Sequence, residues 1–248
     1  MRFALDLSMI FNILHFDTLG STNAEAADHA RHGDVEGTCI VADEQTAGRG
    51  RQGREWISDR GSGVFMSLVL RPKLAMGDLT LIPLMAAVAV YDVLLKGYLI
   101  EADIKWPNDV LVNDKKICGI LSEAVETTNG LAVILGMGIN LKGDRLPDNA
   151  TSIEQETTLP AVRDEIVDVV TDEIARFYDI LHATPAAIVE EWKRRSSYYE
   201  GKAVEVRSGS ETFTGVTCGL EENGALRVTT DGTVRIVQAG DVERLRAA

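Results

Sequence analysis

GRGRQGREW, residues 48–56, is the stretch on which the fold turns. Its first six residues match G-x-G-x-x-G, the fingerprint of a dinucleotide-binding turn, yet Arg49, Arg51 and Arg54 crowd in among the glycines. In a Rossmann unit the glycines follow a strand directly and open a helix, and an acidic residue stands about 20 positions on. Here Glu44, Gln45, Thr46 and Ala47 intervene after the strand-like run TCIVAD (38–43). The residues after Gly53, REWISDRGSG, have no apolar helical period, and the next strand-like run, VFMSLVL (64–70), ends at Arg71-Pro72. The Rossmann reading therefore fails on context. Gly48, Gly50 and Gly53 have another use: they let the backbone fold tightly around a ligand with its N–H groups turned inward. The arginines add forked donors suited to phosphate and carboxylate oxygens. Trp56 has two uses open to it, stacking on a planar base or filling the core.

The rest of the chain sets this loop apart. Its 248 residues suit one large domain, or one large and one small. A hydrophobic content of 45% is enough for a sizeable core. The net charge of −13 makes the chain a poor candidate for general nucleic-acid binding, which needs a basic face. Clustered arginines in so acidic a chain point to a local anionic ligand, the plain alternative being a solvated charged run. Cys39, Cys118 and Cys218 are odd in number and far apart, which argues against a disulfide framework or a zinc site and for a reduced, cytoplasmic compartment. No apolar run reaches the roughly 18–20 residues of a membrane span. The opening MRFALDLSMIFN lacks a signal-peptide core and cleavage site, so no signal peptide is expected. His15, His29, His32 and His182 form no metal-ligand pattern, and His29 with His32 reads as a solvent-facing pair.

Working outward, ILHFD (13–17) predicts a short strand, and Thr22 with Glu25 fits a capping box opening a helix over 22–32. A helix is predicted from about Thr80 to Lys96, with Pro83 tolerated in its first turn. Short strands follow at 102–106, 109–113, 116–125 and 131–139, with turns at Asn113-Asp114 and Asn129-Gly130. Apolar residues near 3.6 spacing predict a helix over 161–182, and a second spans about 185–199. Beyond Gly201 the chain turns into short strands joined at Asn223-Gly224 and Asp231-Gly232. These patterns predict an α+β fold with a meander of mixed, mostly antiparallel strands over 1–200, plus a small β-barrel over 201–248.

Other constellations are weak one at a time. KWPND (105–109) can be a turn after Pro107, or can present Asn108 and Asp109, the latter as a Mg²⁺ ligand. In KKICGIL (115–121) the neighbouring Lys115 and Lys116 face opposite ways, so one can enter a site while Gly119 leaves room for close approach. Both lysines can equally lie on the surface. Cys118 reads as a small buried hydrophobe in preference to a nucleophile. GMGIN (136–140) ends a strand in Asn140, an ordinary turn former.

Their order is specific. STN (21–23), EQTAGRGRQGREW (44–56), KWPND, KKICGIL and GMGIN together resemble biotin–protein ligase over nearly the whole catalytic domain. The resemblance implies a class II aminoacyl-tRNA synthetase-like catalytic fold with a C-terminal SH3-like barrel. It implies activation of biotin by ATP and Mg²⁺ to biotinyl-5′-adenylate, then transfer to one lysine of a biotin carboxyl carrier protein. By the same resemblance Ser21, Thr22, Asn23, Gln45, Arg49, Gly50, Arg51, Lys116 and Gly119 face biotin. Arg51, Arg54, Trp56, Asn108, Asp109, Lys116 and Asn140 lie near ATP, with Asp109 toward Mg²⁺ and Lys116 and Arg51 as the catalytic pair.

Joining a carboxylate to the α-phosphate brings two anions together, so fixed positive charge is needed and a protein nucleophile is not. Only about twenty residues precede Ser21, too few for the winged-helix domain of some family members, so no DNA binding is expected. No membrane contact is expected, and a homodimer is left open. Glu44 is an acidic departure beside the basic loop, with no role assigned. Competing readings are a lipoate–protein ligase or octanoyl transferase of the same fold, a Rossmann oxidoreductase, and a non-catalytic biotin-binding protein.

Overall fold

Alternating apolar runs build most of the molecule. The structure is a computed structural model that describes residues 9–143 and 145–245. Residues 1–8, part of the opening stretch in which no signal peptide is expected, lie outside the described residues. β1 (Asn12–Phe16) lies parallel to β2 (Thr38–Ala42), and α1 (Thr22–Arg31) connects them. β3 (Gly63–Leu70), α2 (Ile82–Tyr98), β4 (Asp103–Lys105), β5 (Asp109–Val112), β6 (Lys115–Thr127) and β7 (Gly130–Asn140) follow. The seven strands form one sheet in the order β1-β2-β3-β7-β6-β5-β4, antiparallel except at β1-β2. Asn113 (φ 52) and Asp114 (φ 63) make the tight β5-β6 turn, as hairpin twist requires.

Three helices, α3 (Ile153–Glu156), α4 (Arg163–Ala183) and α5 (Ala186–Lys193), lead to a second sheet. Its strands are β8 (Glu200–Ser208), β9 (Glu211–Leu220), β10 (Leu226–Thr230), β11 (Thr233–Val237) and β12 (Asp241–Arg244). They are antiparallel in the order β11-β10-β9-β8-β12, in keeping with a small SH3-like unit.

The period of two along β7 separates two cores. Val133, Leu135, Met137 and Ile139 face the large core shared with α2, α4 and α5. Ala132 and Ile134 face the other way, against Ala26, Ala27 and Ala30 of α1. Small alanines let α1 lie close on Ile40 and Val69. The stretch Met76–Tyr98 is long and apolar enough to cross a membrane, which was not anticipated, but 67% of its apolar 18-residue window is buried inside the fold. Core packing accounts for that composition.

Two local expectations are corrected. The capping box does not form: Ser21 is the N-cap and makes no side-chain cap bond, and the Thr22 N–H donates instead to Gln45 Oε1 at 2.8 Å. A distant side chain has taken the helix-end donor that Glu25 and Thr22 were expected to manage between them. The helix expected over 185–199 stops at Lys193, because the chain beyond it is drawn onto β4. There Ile104 N–H donates to Arg195 O, and Ser197 N–H donates to Asp103 Oδ1 at 2.7 Å.

Candidate active site

On the α1 side of the sheet the alternation continues past Ile134 into Gly136 and Gly138, and across the register Gly119 faces Gly138. Three missing side chains leave a hollow where the second core would otherwise continue. The cavity above this floor has a volume of about 570 Å³, within the usual range for a small-molecule site. Every residue that the sequence singled out for biotin or ATP borders it.

One end is a polar ladder at the N-terminus of α1. Asn23, 5% exposed, donates through Nδ2 to Glu123 Oε2 at 2.8 Å, and its Oδ1 accepts from the Ser67 hydroxyl at 2.6 Å. Ser67 also lies 2.8 Å from the Thr22 hydroxyl, and Gln45 Oε1 accepts from Thr22 N–H. Gln45 Nε2 in turn donates to Ser58 Oγ at 2.8 Å. Buried polar groups thus hold one another in fixed orientations, as burial demands. The Ser21 hydroxyl, 6% exposed, borders the cavity beside them.

The other end is cationic. Arg51 and Arg54 rise from the glycine loop, where a short 3-10 turn (Arg51–Gly53) replaces the helix that a Rossmann unit needs. Gly48 must be glycine: a Cβ there would meet Ser58 Oγ at 2.8 Å and run into the Trp56 carbonyl oxygen. Arg51 donates to Asn108 Oδ1 and to the Gly240 carbonyl, both at 3.0 Å. Arg51 and Arg54 both pair with Asp241 of the second sheet. Burial lowers the Arg51 pKa, and the repulsion of Arg54 adds to this, while Asp241 and Asp109 oppose it. The guanidinium still keeps its charge.

Lys116 Nζ lies 2.6 Å from Asp109 Oδ1 and 5.1 Å above the Trp56 ring. Lys115, its neighbour, is exposed, so the strand alternation did separate the pair. Trp56 rests on the glycine floor. A Cβ on Gly119 would come within 2.7 Å of its ring, and one on Gly138 would overlap the indole. Its Nε1–H is buried without a hydrogen-bond partner among the described residues.

Two comparisons with known families fit this geometry. Residues 16–140 match the biotin/lipoate A/B protein ligase family, and residues 200–245 match the biotin protein ligase C terminal domain. The chain belongs to the biotin/lipoate A/B protein ligase family. The bifunctional ligase/repressor BirA of Bacillus subtilis is 35% identical over 256 residues, covering 98% of this chain and 77% of that protein. The biotin–[acetyl-CoA-carboxylase] ligase of Paracoccus denitrificans is 35% identical over 238 residues, covering 90% of this chain and 96% of that one. The biotin protein ligase of Aquifex aeolicus, solved in complex with biotin and ATP, superposes with a TM-score of 0.84 at 27% identity. That match covers 96% of this chain and all of the other.

Within this family fold, some expectations change in kind. Asn140 reaches the cavity wall, but its Nδ2 donates to the carbonyls of Thr151 (2.9 Å) and Lys116 (3.2 Å). Its observed work is to tie the end of β7 to the start of β6. Glu44 faces away from the cavity, with Arg60 and Thr18 as its neighbours. Cys118 is fully buried, and burial pushes its thiol pKa up to about 12, so it is packing material. Cys39 is likewise pushed up to about 12 by burial. His29 pairs with Asp34 at 2.7 Å, and among the described residues no three His, Cys, Asp or Glu side chains gather as a metal cluster.

Sequence reading missed Gly136 and Gly138. The signal was present in GMGIN, because Gly136, Gly138 and Asn140 share one face at period two. It also missed Asp241, which no local pattern marks.

Proposed function

We infer that the protein is a biotin–protein ligase, which makes biotinyl-5′-adenylate from biotin and ATP and passes the biotinyl group to a lysine of a carrier protein. The observation that carries this reading is one cavity with the hydroxyl and amide groups of Ser21, Thr22, Asn23 and Gln45 at one end and Lys116, Arg51 and Arg54 at the other. A ureido ring needs paired donors and acceptors in a dry setting. The ladder and the Ser21 hydroxyl offer them over an apolar glycine floor. The likeness to the Paracoccus denitrificans enzyme supports acetyl-CoA carboxylase as the source of the carrier.

In the first step a biotin carboxylate oxygen attacks the α-phosphorus. The new C–O–P bond forms as the bond to the bridging oxygen breaks, and pyrophosphate leaves with that electron pair. Both reactants are anionic, so Lys116, Arg51 and Arg54 serve by holding fixed positive charge where negative charge gathers. In the second step the carrier lysine, as a free amine, attacks the acyl carbon. An amide forms as the acyl C–O bond breaks, AMP departs with that electron pair, and the amine's proton passes to solvent. The glycine loop keeps water from the mixed anhydride between the two steps.

A Mg²⁺ ion fits the donors present. Asp109 gives a single carboxylate toward the cavity, and such ions accept one or two carboxylates with phosphate and water completing the shell. It would supply further positive charge beside the phosphates. Lys116 Nζ, 2.6 Å from Asp109 Oδ1, would share that carboxylate with the ion.

The test is exchange of radiolabelled pyrophosphate into ATP. Biotin-dependent exchange is expected. Exchange that follows lipoate and ignores biotin would make this a lipoate ligase, and biotin binding with no exchange would make it a binding protein.

A further inference from the structure

We propose that Glu123 is a positioning residue that clamps the glycine loop to the polar ladder, a reading that rests on the biotin-ligase function above. Glu123 projects from β6 on the same face as Gly119 and Leu121, just beyond the cavity. Its two oxygens are divided between two elements. Oε2 accepts from Asn23 Nδ2 at 2.8 Å, and Oε1 lies 3.4 Å from Arg49, the first arginine of the loop.

The division has two consequences. A carboxylate only accepts, so Glu123, with the Leu121 carbonyl 3.4 Å from the same Nδ2, fixes which way the buried Asn23 amide is turned. Asn23 Oδ1 must then face Ser67, which joins the Thr22 and Gln45 part of the ladder. At the same time the Glu123 charge draws Arg49 down toward the sheet. The loop and the ladder are therefore held through one side chain. Glu123 stands outside the lining of the cavity, so it acts through Asn23 and Arg49, which border it. It sets how firmly the loop closes on biotin and its adenylate.

The pair with Arg49 is partly exposed, at 56% and 33% for the two side chains, so its effect is modest. In Glu123→Gln the amide can still accept from Asn23 but no longer attracts Arg49. The biotin KM in pyrophosphate exchange is expected to rise about two- to fivefold with kcat unchanged. AMP release without carrier is expected to rise by a similar factor as the adenylate escapes. Glu123→Gln added to Arg49→Ala should cost nothing more than Arg49→Ala alone. A wild-type KM and wild-type AMP release in Glu123→Gln, or fully additive losses in the double variant, overturn the proposal. If Glu123→Gln does not fold, Glu123→Asp carries the same test, because a shorter carboxylate cannot span both partners. Unchanged KM and AMP release in that variant overturn it equally. Failure of the wild-type protein to exchange with biotin would instead overturn the functional reading.

Discussion

Gly136 and Gly138 leave β7 on the same face, two residues apart, and the same substitution should do different damage at each. At Gly136 an added Cβ would run into Asn23 Oδ1, with Cγ at 2.8 Å. Asn23 cannot yield: it is 5% exposed and is held by Ser67 on one side and Glu123 on the other. Overpacking costs about 1–3 kcal/mol, and losing a hydrogen bond to a charged partner about 1.5–3 kcal/mol. Gly136→Ala is therefore expected to lose about 2.5–6 kcal/mol of stability, a fall of about 5–24 °C in Tm for a chain of this size. At Gly138 the added Cβ would meet the Trp56 indole, with Cζ2 at 2.7 Å. That ring belongs to a surface loop and can lift, so Gly138→Ala should keep its Tm within about 2–4 °C, on the order of 1 kcal/mol. Its loss appears in function, as an increase of about tenfold or more in the KM for biotin or ATP. Thermal unfolding and biotin-dependent exchange on both variants check this. Equal falls in Tm, or a wild-type KM in Gly138→Ala, would refute the argument that the floor is shaped by what rests on it.

Lys116→Ala should fold normally and lose about 1.5–3 kcal/mol of transition-state stabilisation, read as a drop of about tenfold or more in kcat/KM for exchange. Unchanged exchange removes Lys116 from the site. Arg51→Gly breaks the bonds to Asn108 and Gly240, and we expect the adenylate to leak and label bystander lysines on an added inert protein. No labelling above wild type counts against the loop as a lid. Asp92, 5% exposed, accepts from Arg195 at 2.7 Å and from Lys96 and Arg176 at 3.0 Å. Burial raises its pKa, but the hydrogen bonds and charges of Arg195 and Lys96 outweigh that and hold it below the ordinary carboxylate value. Its stabilisation is present above the unfolded pKa of about 3.9 and is lost as pH falls through the lower folded value. Asp92→Asn should cost about 2–4 kcal/mol at pH 7, less than for a sealed pair because Lys96 and Arg176 reach water. Between pH 5 and 3 the gap in Tm between wild type and Asp92→Asn should narrow, and a gap that widens would show the sign to be wrong.

What was legible in the sequence is what repeats locally. The strands at 38–42, 63–70 and 130–140 announce themselves by apolar runs, and α4 by its 3.6 period. The GRGRQGREW loop was legible by failure of context, since no helix follows its glycines. What escaped depends on partners chosen by register and domain placement. Gln45 takes the Thr22 N–H across 23 residues, which no capping rule sees. Arg51 meets the Gly240 carbonyl across 189 residues, and Asp241 beside it meets both cavity arginines.

The two sets of glycines show why type and position must be read together. Those at 48 and 50 permit a loop to fold back on itself, with Gly50 N–H donating to Arg54 O at 2.6 Å and Trp56 N–H to Gly48 O at 3.0 Å. Those at 119, 136 and 138 permit nothing of the backbone, which is ordinary strand. They work by leaving side chains out, so that Trp56 and Asn23 can stand where Cβ atoms would be. The loop therefore delivers its tryptophan onto the floor that the strands left bare. A side chain added at Gly119 or Gly138 in the floor, or at Gly48 in the loop, disturbs the same Trp56.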